Sequence, residues 1–362
     1  MTALRSSLNL LGRGTIPKTS IPTRPNRYKF ASSSRNHSLS SSSQPDHVRT
    51  LLQNQELTEE DAINELRWIT QEVREIANRQ MAKGRMPEVE EDSIAKIVER
   101  RGKGEPIQYI LGTTDFGPLT IQLRRPVLIP RPETAHLTSQ LSSLILSSIP
   151  PLTFRERPTA PLNILDLCSG TGCIGLLLAK LNPLSRVTGI DNSPVAVQLG
   201  MINARDLDLG DRVKSKYGNI FKDPSLLLST HNSEKVEAGD DGRYGLIISN
   251  PPYIPYSEYQ ALPPSVKNYE SPSALLGDGL DAKEGKGLKY YQRIAEILPD
   301  LLAEEEQLEK KGWKGIPRLA LEIGQGQAGD VVEIVRSGGR IKRTEVWRDQ
   351  YGVERMVVGW SK

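Results

Sequence analysis

The run Leu162-Asn163-Ile164-Leu165-Asp166-Leu167-Cys168-Ser169-Gly170-Thr171-Gly172-Cys173-Ile174-Gly175 decides the fold. Residues 162–167 are short and almost continuously apolar, as a strand buried on both faces of a parallel sheet must be. Gly170, Gly172 and Gly175 follow, in a turn where the backbone can approach a ligand closely. An apolar helix is predicted over 173–181. Working outward, residues 186–190 read as a second strand ending at Asp191, and 194–205 as a second helix with its proline in the first turn. Residues 244–249 and 318–323 are two further apolar strands. Strands alternating with helices imply an α/β fold, a mostly parallel sheet covered on both faces. Two polar stretches, 224–243 and 303–315, interrupt the pattern and are expected to be mobile surface insertions.

Upstream of the sheet, residues 46–112 read as a small helical domain. Thr58 is an N-cap ahead of three acids. Ala62, Leu66, Ile69, Val73 and Ile76 recur at helical spacing until Gly84 and Pro87 end the run, and a second helix is expected over 93–101. Such helices are packing units first; the position ahead of the sheet suggests a unit that docks a partner. Residues 113–135 read as a hairpin linker with strands at 120–123 and 126–129. Its end, Ile129-Pro130-Arg131-Pro132-Glu133-Thr134, is a stiff bend carrying a cation and an anion. It is either a connector or one wall of an active site, with Arg131 and Glu133 paired to each other or touching substrate.

Residues 1–45 hold seven Lys/Arg, a serine cluster and no acid. That composition matches a mitochondrial transit segment, with a disordered basic tail as the plainer alternative. It also makes the net charge of +3 misleading, because the remaining chain sets 40 of the 47 basic residues against all 44 acidic ones, a net of −4. A bulk electrostatic case for nucleic-acid binding fails on that balance. No run of about 18 uncharged apolar residues suggests a membrane span. The two cysteines, Cys168 and Cys173, form no CxxC pair, which disfavours a zinc ribbon or a disulfide framework and leaves both as packing residues.

The glycine turn leaves two cofactors open. It contains G-x-G-x-x-G after a strand and before a helix, with Asp191 about twenty residues on to accept from ribose hydroxyls, so a nicotinamide dinucleotide must be weighed. Asp166, just before the turn, tips the balance. A pyrophosphate wants a helix N-terminus without an opposing carboxylate, whereas S-adenosylmethionine carries a sulfonium and an ammonium. Asn250-Pro251-Pro252-Tyr253, at the end of the strand over 244–249, is more specific. The side-chain oxygen of Asn250 and the carbonyl of Pro251 can each accept one hydrogen of a planar –NH2 group. That restores electron density to a delocalised nitrogen and aims it. Pro251 and Pro252 offer no N–H, and the Tyr253 ring can stack on the planar group. Methyl transfer then needs positioning and electrostatics, with no metal and no covalent intermediate. A proline-rich loop would explain the tetrapeptide alone, but not its combination with the turn and Asp191.

At this point the sequence resembles the HemK-type release-factor glutamine methyltransferases, across nearly everything after the basic segment. The resemblance rests on Gly104-Glu105-Pro106-Ile107-Gln108-Tyr109-Ile110-Leu111-Gly112, on residues 128–134, on 166–172 and 250–253, on Glu270-Ser271-Pro272-Ser273-Ala274-Leu275, on Leu321-Glu322-Ile323-Gly324-Gln325-Gly326-Gln327 and on residues 348–355. It implies a Rossmann-like class I methyltransferase domain over 136–362, behind the helical domain and the β-hairpin linker. The implied reaction carries a methyl group from S-adenosyl-L-methionine to the side-chain N5 of the glutamine in the Gly-Gly-Gln motif of a class 1 peptide chain release factor. With a transit segment, that factor would be the mitochondrial one and the site of action the matrix. A monomer with no nucleic-acid partner is expected. The resemblance assigns the cofactor to Asp166, Cys168, Ser169, Gly170, Thr171, Gly172, Asp191, Asn219, Ile220 and Asn250. It assigns the amide clamp to Asn250 with Pro251, flanked by Pro252 and Tyr253.

Some positions depart from the family pattern. Glycine and threonine are usual where this chain has Cys168 and Ser169, an acid where it has Asn219, and an aromatic where it has Ile220. These changes bear on cofactor affinity. Adenine-N6 methylation of nucleic acid shares the Asn-Pro-Pro-Tyr motif and is the alternative transferase reading. A binding module that keeps the fold without catalysis is the alternative from another class.

Overall fold

The computed structural model describes residues 44–82, 84–149, 158–228 and 241–362. The basic segment, apart from its last two residues, and most of the stretch 224–243 lie outside the described residues.

Four helices precede the sheet: α1 (Gln44–Leu51), α2 (Glu59–Ala82), α3 (Glu90–Gly102) and α4 (Ile107–Leu111). Thr58 caps α2 reciprocally: its Oγ1 accepts from the Asp61 N–H (3.2 Å) while its own N–H donates to the Asp61 carboxylate (3.1 Å). Leu66, Ile69, Val73, Ile94, Val98 and Ile107 form the shared core of this unit. Within it Arg101 grips Glu65 with two nitrogens, at 2.7 and 2.9 Å. The third helix starts a turn earlier than expected, because Glu90, Glu91 and Asp92 favour its N-terminal dipole.

The hairpin differs from its prediction. β1 (Thr113–Phe116) pairs antiparallel with β2 (Leu119–Gln122), so only the strand over 120–123 has a counterpart. Residues 126–129 are not a strand. Pro126 brings no N–H to a ladder, and the Val127 N–H turns back to the Arg124 carbonyl (3.0 Å). The bend at 130–134 is likewise the start of a helix: α5 (Pro132–Ser147) opens with Pro132 in its first turn, so a linker ending at residue 135 cuts through it.

The sheet follows with β3 (Leu162–Leu167), α6 (Cys173–Leu181), β4 (Ser185–Asp191), α7 (Pro194–Asp206), β5 (Val213–Tyr217) and β6 (Leu246–Ser249). Short helices α8 (Tyr256–Gln260), α9 (Pro264–Lys267) and α10 (Pro272–Leu275) lead to α11 (Lys289–Leu301), α12 (Glu305–Lys310), β7 (Leu319–Glu322), α13 (Ala328–Ser337), β8 (Arg343–Arg348) and β9 (Glu354–Trp360). Strand order is β5-β4-β3-β6-β7-β9-β8; the first five strands run parallel and β9 lies antiparallel to both neighbours. Alternation splits the core. Leu162, Ile164 and Ile248 face α5 and α6, while Leu165, Leu167 and Ile247 face α11 and α13. No described helix is long and apolar enough to cross a membrane.

The insertions are not mobile surface loops where they are described. Pro224–Leu227 forms a 3-10 turn with Leu227 buried, and the Leu227 carbonyl accepts from the Tyr244 hydroxyl (2.7 Å). Residues 303–315 contain α12, and Leu308 and Trp313 sink into the core. Arg318, 1% exposed, fastens this stretch by donating to the Gly245 and Ala303 carbonyls and pairing with Glu305. The charged residues that suggested a loop form the outer face of a short amphipathic helix. Trp313→Ala should therefore lower the unfolding free energy by about 3–5 kcal/mol in urea titration, whereas a change in a solvated loop moves it by less than about 0.5 kcal/mol.

Candidate active site

A cleft of about 1060 Å³, counted to its open mouth, lies beyond the carboxyl ends of β3, β4 and β6, where open α/β sheets bind ligands. Its floor is the glycine turn. Gly170 (φ +53°) and Gly172 (φ +78°) take left-handed conformations, which is why glycine is needed there. Cys168 shares that region at φ +58° without being glycine. The turn is tied to the next strand: Ser169 N–H donates to the Ile190 carbonyl (3.0 Å) and Gly170 N–H to Asp191 Oδ2 (2.8 Å). Asp191 Oδ1 accepts from the Ser193 N–H (2.8 Å), and Ser193 caps α7. The carboxylate keeps acceptor capacity for a ligand hydroxyl. Burial pushes the Asp191 carboxyl above its ordinary range.

Cys168, Ser169, Gly170, Thr171, Asp191, Asn219, Ile220, Asn250, Pro252 and Arg131 all line the cleft. Asp166, Gly172, Pro251, Tyr253 and Glu133 are not part of its wall. Asp166 lies 1% exposed beneath the turn, where Oδ2 accepts from the Gly175 N–H (3.2 Å) in the first turn of α6. It braces the helix N-terminus instead of facing a ligand. Its Oδ1 has no hydrogen-bond partner among the described residues. Burial, helped by Asp191, pushes its carboxyl up to about 7. Tyr253 packs against the core on the α11 and α13 side, with its carbonyl held by Gln327 Nε2 (2.9 Å), so the expected stacking surface is turned into the protein. Burial raises both thiols, that of Cys173 to about 12, so neither is a nucleophile near neutral pH.

Asn250 stands where the sheet register puts it. Leu167 pairs with Ser249, and Ser249 with Leu321, so the next residue on each chain brings Cys168, Asn250 and Glu322 level at adjacent strand ends. Glu322 is 4% exposed; its Oε2 accepts from the Thr134 hydroxyl (2.7 Å), and the Asn250 side chain lies beside its carboxyl. Burial pushes this carboxyl up to about 7.

The proline-rich wall is built differently from the expected Arg131–Glu133 pair. Arg131 Nη2 instead meets Glu270 Oε1 (2.6 Å), and Glu270, 1% exposed in its side chain, also accepts from the Ile129 N–H (3.2 Å). At the far end, Asn219 Oδ1 is occupied by the Phe221 N–H (2.9 Å), which leaves its –NH2 to face the cleft. Tyr290, a lining residue that sequence reasoning missed, meets Phe221 edge-on at 5.1 Å. Thr134, Glu270 and Glu322 were visible only as members of the quoted runs. No cluster of His, Cys, Asp or Glu suited to a metal is found among the described residues.

A Rossmann-like sheet with two polar strand ends and a glycine turn around one cleft defines a class I methyltransferase, and residues 159–255 match the methyltransferase domain family. Residues 47–112 match the PrmC N-terminal domain. A release factor glutamine methyltransferase of Geobacter sulfurreducens is 35% identical over 263 residues, 73% of this chain and 76% of that protein. Its counterpart in Thermodesulfovibrio yellowstonii is 34% identical over 270 residues, 74% and 80% of the two chains. Among solved structures, human methyltransferase 10 domain containing protein overlaps with a TM-score of 0.42 at 16% identity, covering 68% of this chain and 89% of that one. The chain belongs to the release factor glutamine methyltransferase family, and its cofactor is S-adenosylmethionine.

Asp166 generates a stability prediction. Its folded pKa of about 7 lies above the ordinary 3.8, so between those values the native state keeps a proton that the unfolded chain has lost. Its contribution to stability is present below about pH 4 and falls on the order of 1.4 kcal/mol per pH unit until about pH 7. Asp166→Asn should flatten part of this decline in melts recorded from pH 5 to 8, gaining on the wild type as pH rises.

Proposed function

We propose that this protein methylates the N5 side-chain nitrogen of the glutamine in the Gly-Gly-Gln motif of a mitochondrial class 1 peptide chain release factor, in the matrix, as a monomer without a nucleic-acid partner. The observation that carries the reading is the place of Asn250, at a strand end beside the glycine turn and on the wall of the same cleft as Asp191. When bound, S-adenosylmethionine supplies an electrophilic methyl group on a sulfonium. The residues of this chain then have three tasks. The glycine turn, with Asp191, seats the cofactor. Asn250 Oδ1, on the cleft wall, accepts one hydrogen of the glutamine amide, so that its nitrogen is oriented and made electron-rich; the family resemblance gives the other hydrogen to the Pro251 carbonyl, although Pro251 is not part of that wall. The nitrogen gains the methyl group as the carbon–sulfur bond of the sulfonium breaks and its electron pair stays on sulfur as a neutral thioether, and it gives up one of its two protons to water.

Its similarity to release factor glutamine methyltransferases supports a release factor as substrate. The net of −4 after the basic segment favours a protein substrate over nucleic acid. The mitochondrial part rests on the composition of residues 1–45.

Labelled S-adenosylmethionine should mark a mitochondrial release factor and fail to mark the same factor with its motif glutamine changed to alanine. Label retained by the alanine factor, or found only on nucleic acid, would overturn the reading. Asn250→Ala should lower transfer by about 100-fold or more while cofactor affinity, measured by calorimetry, stays within a few fold. Imaging of the tagged full chain outside mitochondria would remove the mitochondrial part alone.

A further inference from the structure

We propose that Glu322 is a positioning residue, whose carboxylate, anchored by Thr134, holds the Asn250 side chain with its –NH2 turned inward and its Oδ1 turned to the cleft. The inference deepens the function proposed above and rests on it for the role of Asn250.

The geometry comes from three elements. Thr134, in the first turn of α5, is 2% exposed and donates its hydroxyl to Glu322 Oε2 at 2.7 Å. Glu322 ends β7, level with Asn250 on the adjacent strand, and its backbone carbonyl is fixed by the Tyr291 hydroxyl (2.9 Å). The Asn250 side chain lies beside the same carboxyl. An asparagine amide is nearly symmetric in shape and opposite in chemistry at its two ends. A carboxylate can only accept, so it selects the –NH2 end and leaves the oxygen free. A protonated carboxyl can donate to Oδ1 instead. The amide then turns over and presents –NH2 to a substrate –NH2, donor against donor.

The orientation therefore depends on the ionisation of Glu322. Arg355 favours the carboxylate, Glu133 opposes it, and burial opposes it most. Cys173, Tyr253 and Tyr291 also face it, and burial keeps all three protonated at neutral pH. The balance brings Glu322 to about 7, so the productive orientation is lost as pH falls below that value.

Two readouts test this. In wild-type protein labelled with 15N-asparagine, the Asn250 side-chain signals, identified by their loss in Asn250→Ala, should shift with a midpoint near pH 7; in Glu322→Gln they should not titrate. This measurement needs no substrate. In steady-state assays the wild-type kcat should fall about tenfold per pH unit on the acid side. Glu322→Gln, which like the protonated carboxyl can donate to Asn250 Oδ1, should lower kcat at pH 8 toward the level of the wild type on its acid side and lose that acid limb. Glu322→Ala should lower kcat by about 10- to 100-fold with the KM for S-adenosylmethionine unchanged. Asp166→Asn, whatever its rate, should keep the limb. Asn250 signals that do not titrate in the wild type, or an acid limb that survives in Glu322→Gln, would overturn the proposal. Absence of glutamine methylation by a wild type whose Asn250 signals do titrate would instead remove the function and leave the hydrogen-bond switch standing.

Discussion

Parallel pairing of β3, β6 and β7 is the constraint from which the site follows. Each strand is buried on both faces, and a slip of one residue would exchange the side chains facing the two halves of the core. Apolar packing therefore fixes the register more firmly than the polar residues could. The polar residues inherit it: Cys168, Asn250 and Glu322 come level because Leu167, Ser249 and Leu321 are held level. Ser249 adds a bond from its hydroxyl to the Leu167 carbonyl (2.7 Å), a side-chain tie between strands already joined by their backbones.

The walls of the cleft are attached to this frame by buried charge. Glu270 gathers the Arg131 guanidinium and the Ile129 N–H, which fixes the proline-rich wall to the segment leading into α10. The Tyr109 hydroxyl donates to the Val127 carbonyl (2.6 Å), so α4 supports the same wall from the helical unit. Removing Arg131 would leave the buried Glu270 carboxylate without its cation, which is costly. The wall is stiffened by its two prolines and by the Arg131–Glu270 pair.

Much of the central frame was legible. β3 and α6 have the predicted bounds, and β4 and α7 differ by one residue, because continuous apolar runs, a glycine turn and a Ser-Pro helix start are local signals. Elements whose signals are not local were missed. β5 carries Lys214 and Lys216 at the sheet edge, where only one flank is paired, and β8 is largely exposed at the other edge. The α12 stretch read as a loop because its charges outnumber Leu308 and Trp313, which bury it. In the site, Asp191, Asn250 and the turn announced themselves through residue type and spacing. Glu322 and Thr134 did not, since a threonine and a glutamate 188 positions apart acquire a joint role only when folded. Tyr290 had no local signal at all. Tyr253 was singled out as a stacking surface, but the sequence could not tell that its ring would turn into the core.

Asn203 links parts of the molecule that look separable. Its Oδ1 accepts from the Gln122 N–H (2.7 Å), and its Nδ2 donates to the Gln122 carbonyl (3.1 Å) and to the Thr171 carbonyl (3.0 Å). One amide side chain thus rivets the hairpin to the glycine turn. A chimera that grafts a different reader onto this catalytic half would have to make its splice upstream of Thr113, keeping the hairpin with the sheet, because a cut after Gln122 strips Asn203 of two bonds and loosens the loop from behind.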